Sequence, residues 1–288
     1  MDSLTDLATP LVLGILLGGL YALIALGLSL VFGVMQLINV AHGDLVLLGS
    51  YLAYTLMTAL GLDPIIGLVI IIPVLFGVGF AIQRFLMNRA FRISMGAPLI
   101  IAFGLSIIFQ NLFQIIWTPL SRGLTTSYAL ASFGIGGIHL PLTYLLDFIA
   151  AIIVMFALRE FLKRTYLGKA ITAASQDRQA AQLMGINPTR VYAFAFGIAM
   201  ISAAIAGVFL GLTFPFTPTS GPSFLIIAFG VIVLGGMGSI FGTFLGGMIL
   251  GLAQTFGGYF FGATAQMLVA YLIVLVVLTV RPQGIFGR

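Results

Sequence analysis

An all-α polytopic membrane helix bundle is the fold class this sequence predicts, with about eight to nine transmembrane or re-entrant helices at ~20 apolar residues per span. Three observations predict it. Of 288 residues, 61% are hydrophobic and only 7% charged, where a soluble domain carries roughly a quarter charged residues; the mean hydropathy is +1.21. Uncharged runs are long: 37 residues separate Asp6 from Asp44, and 90 more extend from Val191 to Val280. No long alternating strand pattern suggests a barrel, and a hydrocarbon core leaves only helices otherwise. A soluble enzyme and a sizeable extramembrane domain are both excluded, which leaves a single transmembrane domain over 1–288.

Taken in order, the chain opens with Asp2 and Asp6 in place of a basic region, which argues against a cleaved signal peptide. With breaks at charge, Pro and Gly as boundaries, spans are expected near 10–32, 36–60, 64–82, 97–118, 140–159, 191–213, 224–237, 240–257 and 263–280. The segment from Phe224 to Gly257 is short for two full spans and a turn, and Gly235, Gly236 and Gly238 interrupt it. One helix there is expected to stop inside the membrane, which makes 224–257 a re-entrant hairpin; two spans are the alternative. Cysteine is absent, so disulfides, thiolate metal ligands and thiol nucleophiles are excluded.

The net charge of +5 is informative once divided among loops. Arg84, Arg89 and Arg92 share one loop, Arg159, Lys163, Arg164, Lys169, Arg178 and Arg190 surround another, and Arg281 and Arg288 close the chain. Placing these groups in the cytoplasm satisfies the positive-inside rule and requires the N-terminus outside and the C-terminus inside. Arg122 alone would face out. The basic balance therefore reports topology and not nucleic-acid binding.

Small residues recur at four-residue spacing in Gly14/Gly18, Ala203/Gly207/Gly211, Gly238/Gly242/Gly246 and Gly247/Gly251, a pattern that lets helices approach closely in lipid. Residues 24–32 also match residues 101–109 at six of nine positions. On the topology above these two spans run in opposite directions, as an inverted repeat requires; chance is the rival, because apolar segments draw on few residue types.

Asn39, His42, Gly43 and Asp44 form the most unusual polar group, between two hydrophobic stretches. An imidazole and a carboxylate there are costly unless they meet partners, water or substrate, so they should face the bundle interior. Two readings are open: a polar lining or hinge of a permeation path, to which Gly235, Gly236 and Gly238 are added as candidates, or a local cap where a helix is interrupted. A metal site is not expected, because only His42 and His139 are available and they lie in separate segments.

The loop of about 160–190 holds a second departure from lipid-facing sequence. Ser175 can cap a helix that Gly185 and Pro188 end. At 100° per residue Ala180, Ala181, Leu183 and Met184 fall on one side, with Arg178, Gln179 and Gln182 opposite. The small apolar face suits a protein partner better than headgroups. No nucleotide-binding loop is present: Gly168-Lys169 is followed by Ala170 and position 163 is Lys, so a Walker A is not formed and ATP chemistry must come from elsewhere.

Four stretches resemble the LivH-type permeases, the integral-membrane subunits of branched-chain amino-acid ABC importers. They are GGLYALIALGLSLVFGVMQLINVAHGDLVLLGSYLA from Gly18, GKAITAASQDRQAAQLMGIN from Gly168, VIVLGGMGSIFGTFLGG from Val231 and RPQGIFG from Arg281. The resemblance runs from about Gly14 to Gly287. It implies that the 173–186 helix engages the ATPases, with Ala173, Ala174, Asp177, Arg178, Ala181 and Gly185 as coupling residues; Thr172 replaces the family's Glu in that motif. It implies a bacterial inner-membrane permease that moves branched-chain or related amino acids by alternating access. The implied partners are a second related permease or a second copy, two cytoplasmic ATP-binding subunits that hold ATP and Mg, a periplasmic or extracellular substrate-binding protein, and membrane lipid. No cofactor is expected in this chain. The rivals are a urea or short-amide permease of the same type, an ion-coupled secondary carrier using Asp44, and a membrane enzyme using His42 and Asp44 as acid and base.

Overall fold

The computed structural model describes residues 2–94, 96–135, 138–281 and 283–286, with the side chains of 2–6, 135 and 138 left out. The side chains of Asp2 and Asp6, together with Pro282, Gly287 and Arg288, therefore lie outside the described residues. Helices α1 (Asp2–Met35), α2 (His42–Leu60) and α3 (Pro64–Ala81) come first; α3 continues through a π-helical turn, Ile82–Met87, into the single turn α4 (Asn88–Ala90). Then follow α5 (Ala97–Trp117), a hairpin of β1 (Ser132–Ile135) and β2 (Ile138–Pro141), and α6 (Leu142–Arg164). The short α7 (Tyr166–Gln176) and α8 (Arg178–Leu183) precede α9 (Pro188–Thr213), α10 (Gly221–Gly235), α11 (Ile240–Phe261) and α12 (Gln266–Val280). Among the described residues seven helical segments are long and apolar enough to cross a membrane; α6 and the shorter α10 complete the bundle.

Local chemistry places several of these boundaries. The Asp63 side chain accepts from the Ile65 and Ile66 amides with Pro64 as the first helical residue of α3, and Asn187 does the same for Arg190 ahead of Pro188. These are N-caps followed by a proline that needs no amide partner. Ser239 caps α11 through the Gly242 amide, and Gly61, at φ 65°, ends α2. The expected span 36–60 is corrected at its start: Gln36 takes φ 51° and residues 36–41 leave the helix, so α2 begins only at His42. A periodic apolar pattern continues across this break, which is why hydropathy alone does not reveal it.

Helix α1 is the axis of the bundle, with Leu20 to Leu28 almost wholly inaccessible. It packs antiparallel on α11 through the glycine pairs noted in the sequence: a Cβ at Gly18 would stand 2.7 Å from the Gly247 carbonyl oxygen, and one at Gly251 would stand 2.7 Å from Gly18 Cα. Backbone-to-backbone approach of this kind supplies dispersion contact where lipid removes the hydrophobic drive.

The contacts between helices come in matched sets. As α1 packs on α11, α9 packs on α3; as α9 meets α2, α1 meets α10; as α5 meets α2, α12 meets α10. These pairings are the ones a repeat relating α1, α2, α3 and α5 to α9, α10, α11 and α12 would produce, although α11 packs on α12 where α3 does not pack on α5. The nine-residue match between 24–32 and 101–109 is corrected, since it pairs α1 with α5, whose counterparts are α9 and α12. Lipid-compatible helices share few residue types, and a short local identity carries little information about which helices are equivalent.

Charge separates along the bundle. Arg84, Arg89 and Arg92 come together with Arg190 at one end, where Asn88 Nδ2 donates to the Thr189 carbonyl at 3.0 Å. Arg122 stands at the other end, paired through its backbone with Phe216 and donating to the Tyr54 hydroxyl at 2.8 Å.

Candidate functional site

Two of the helices start inside the bundle, and their first residues meet. The stretch 36–41 folds back along α1, and its turn is held by Asn39 Oδ1, which accepts the Ala41 amide at 3.2 Å. His42 then begins α2 beside the middle of α1, where its Nε2–H donates to the Ile24 carbonyl at 2.9 Å. From the second half of the chain, α10 begins at Gly221 against Gly43 and Asp44. The two helices depart in opposite directions, α2 toward the Arg122 end and α10 toward the arginine cluster.

Asp44 closes the junction. Its Oδ2 accepts from the Ser106 hydroxyl of α5 at 2.5 Å, and Gln110 Nε2 donates to that hydroxyl at 3.0 Å. Its Oδ1 lies against Gly221, at a position that a side chain there would occupy. Helix N-termini carry unpaired amides and partial positive charge; a carboxylate between two of them complements both. Asn39, His42 and Asp44 are all buried, and Asn39 Nδ2, His42 Nδ1 and Asp44 Oδ1 have no hydrogen-bond partner among the described residues.

The predicted group is thus brought into one place, with its members tied to different helices: His42 to α1, Asp44 to α5 and α10. His42 and Asp44 make no hydrogen bond to each other, whereas an acid–base pair acting in concert needs them within reach of one proton. Among the described residues no set of three or more His, Asp or Glu side chains is gathered. We expect His42→Ala to orphan the Ile24 carbonyl and leave a void, costing about 1–3 kcal/mol. Assembly, followed by size exclusion after heating, and transport should fall together. A loss of transport from a fully assembled variant would instead assign His42 to a permeation path.

Gly235, Gly236 and Gly238 lie apart from this junction, at the turn joining α10 to α11. Gly236 and Gly238 have φ of 92° and 84°, and Gly238 Cα sits against Gly33 of α1. The C-terminal motif covers the same turn, with the Ile285 amide donating to the Leu234 carbonyl at 2.9 Å. Two stretches far apart in sequence thus form one structural unit.

The 173–186 segment is corrected from one helix to two. Asp177 interrupts it, and its carboxylate accepts from the Gln179 and Ala180 amides at 2.8 and 3.0 Å, so Asp177 and not Ser175 caps α8. The Ser175 hydroxyl donates to the Thr172 carbonyl within α7. Gly185, at φ 80°, ends the unit as expected, and the Ile186 amide returns to the Ala181 carbonyl at 3.0 Å. Ala174 and Ala181 are buried, Ala173 is half-buried, and Asp177, Arg178 and Gly185 are exposed. Of the predicted apolar side only Ala181 packs inward; Leu183 is 89% and Met184 82% exposed. On its inner side α7 buries Ile171 and Ala174 in the core, and Thr172 and Ser175 line a cavity of about 210 Å³ with Gly33 and Gly238.

Ser106, Gln110 and Gly221 complete the junction and carried weak sequence signals. Ser106 and Gln110 are i,i+4 polar neighbours in an apolar span, and Ser220-Gly221-Pro222 is a helix-start pattern three residues ahead of the expected start. Arg122 also acquires a neighbourhood, since Tyr51 packs against Trp117, Phe113 and Phe216 with ring centroids 4.8–4.9 Å apart beside it.

Comparison with known proteins places this sequence among relatives. Residues 11–278 match a family described as the permease component of branched-chain amino acid transport systems. The high-affinity branched-chain amino acid transport system permease protein BraD of Pseudomonas aeruginosa is 36% identical over 96% of this chain and 95% of its own. LivH of Escherichia coli K12, a permease protein of the same kind of system, is 33% identical over 96% and 94%. LivM of Salmonella typhimurium, also a permease protein of such a system, is 30% identical over 49% of this chain and 33% of its own length.

Proposed function

We propose, from the premise that the chain belongs to the permease family of branched-chain amino acid transport systems, that it is the membrane-spanning subunit of an ABC importer for branched-chain amino acids. It pairs with a second permease of related sequence, as LivM is related in part to this chain. Two ATP-binding subunits engage α7 and α8 from the cytoplasm, and a substrate-binding protein delivers the amino acid from the other side. The N-terminus lies outside and the C-terminus inside.

One observation carries the reading: α8 presents Leu183 and Met184 to the exterior on a unit whose other side packs into the bundle. Two exposed apolar side chains on a capped, polar turn form a small docking surface of the kind a protein groove accepts. Movement of α7, whose Ile171 and Ala174 are buried in the bundle, passes to the helices it packs on, α1, α6 and α9. Because α1 also holds His42, a rigid displacement there reaches the α2–α10 junction, where two helices begin in the interior, as interrupted helices do in carriers with alternating access.

The natural absence of cysteine makes the test direct. Leu183→Cys is expected to react with a membrane-impermeant maleimide only from the cytoplasmic side, and to be protected when the ATPases are bound. Leu183→Asp with Met184→Asp should lose co-purification of the ATPases at least ten-fold, about 1.4 kcal/mol or more, with the bundle intact. Labelling from outside would reverse the topology, and unchanged co-purification would remove α8 as the docking element.

A further inference from the structure

Four arginines converge where the α3 extension meets the start of α9. Arg84, Arg89, Arg92 and Arg190, with Asn88 and Thr189 among the other lining residues, surround a cavity of about 430 Å³. None of the four guanidinium groups has a hydrogen bond or ion pair among the described residues, where the one ion pair joins Arg164 to Glu160 elsewhere. No carboxylate lines the cavity. Four like charges around one concavity repel each other, and the field they share favours an anion inside.

The wall is built rather than incidental. Asn88 is buried, accepts from Gln83 Nε2 at 3.1 Å and donates to the Thr189 carbonyl at 3.0 Å, so it locks the α3 extension to α9. Arg84 lies in the π-helical turn, a distortion that re-aims side chains and is found often at functional sites.

Depth and surroundings identify the anion's class. At 1.5 Å per residue, Arg84 lies about 30 Å along the helix from Pro64, close to the thickness of a hydrocarbon core. The cavity is therefore level with the headgroups of one leaflet. Phe85, Leu86 and Ile93 in the same segment are exposed, and they offer an apolar surface beside the cationic one. Phe85 lines the cavity itself, so an occupant that is both anionic and apolar uses both surfaces, whereas a soluble anion uses only the arginines.

We propose that this cavity binds the headgroup of an anionic phospholipid, with its phosphodiester held by Arg84, Arg89 and Arg190 and its acyl chains lying along Phe85 and Leu86. Guanidinium forks match phosphate oxygens in bidentate geometry. The bound lipid joins the α3 extension to the start of α9 beside the hydrogen bond from Asn88 to the Thr189 carbonyl.

The test is native mass spectrometry of the full-length chain equilibrated with mixed micelles of phosphatidylglycerol and phosphatidylcholine. Phosphatidylglycerol should be retained in preference, and retention should fall about five-fold for each of Arg84→Gln, Arg89→Gln and Arg190→Gln. Lys163→Gln with Arg164→Gln, on the same membrane face, should leave it unchanged. An equal fall in that control would reduce the effect to general surface charge and overturn the site. Displacement of the lipid by soluble glycerol phosphate at similar concentration would show a site for free phosphate esters and overturn the lipid assignment. Unchanged lipid retention in the arginine variants, with partner subunits lost, would reassign the cavity to a protein contact.

Discussion

Gly43→Ala is expected to disrupt the junction of α2 and α10 and to abolish uptake. The new methyl would overlap the Gly221 carbonyl oxygen and stand 2.8 Å from its carbon and 3.0 Å from the Leu225 nitrogen. These are backbone atoms, so no rotamer change relieves the overlap and one helix must move. Neither is free to do so: α2 is held on α9 by the Ser50 hydroxyl, which donates to the Gly207 carbonyl at 2.6 Å. Overpacking costs about 1–3 kcal/mol where side chains can adjust, and more where they cannot; the upper end or beyond is expected. Gly104→Ala is the matched control, because nothing lies within 4 Å of its added Cβ and alanine favours a helix by about 0.5–1 kcal/mol. Thermal stability in detergent and uptake in liposomes give the readouts. A Gly43→Ala variant with native stability and uptake would show that α2 and α10 do not meet as described.

Asp44→Ala should be nearly as damaging, for a different reason. It takes the acceptor from Ser106 and the carboxylate from the starts of α2 and α10, at about 1–3 kcal/mol for each group left buried and unpaired. Asp44→Asn keeps the shape and an acceptor oxygen for Ser106, so assembly and most uptake should survive. The comparison separates structure from ion coupling. If Asp44→Asn assembles fully, permits ATP hydrolysis and yet loses uptake, the charge itself takes part in transport and the secondary-carrier rival returns.

Residues whose structure depends on near neighbours were legible in the sequence. Gly185 acts at its own helix end as expected, and the hydrophobic runs became helices close to the expected limits, although Pro188, expected to stop a helix, opens α9 behind the Asn187 cap. Asn39, His42, Gly43 and Asp44 were identified as buried and unusual, because polar groups in an apolar run have few inexpensive places to be. Their partners were not legible: Ser106 lies 62 positions from Asp44, Ile24 lies on another helix, and Gly221 is in the other half of the chain. Asp177 was included among the coupling residues without its role as the cap that divides the segment.

By itself the sequence determined that this chain is a membrane helix bundle, where most of its long helices start and stop, and which loops collect positive charge. Those properties follow from transfer free energies and local hydrogen bonding, which sum over short windows. Only the tertiary structure decided that α1 corresponds to α9 rather than α5, that α2 and α10 begin nose to nose around Asp44, and that separate basic loops close on one cavity. Small residues permit close backbone approach at many points along these helices, and in a lipid-like environment hydrophobicity does not choose among them. The choice falls to the fit of backbones and the pairing of a few buried polar groups across the whole bundle.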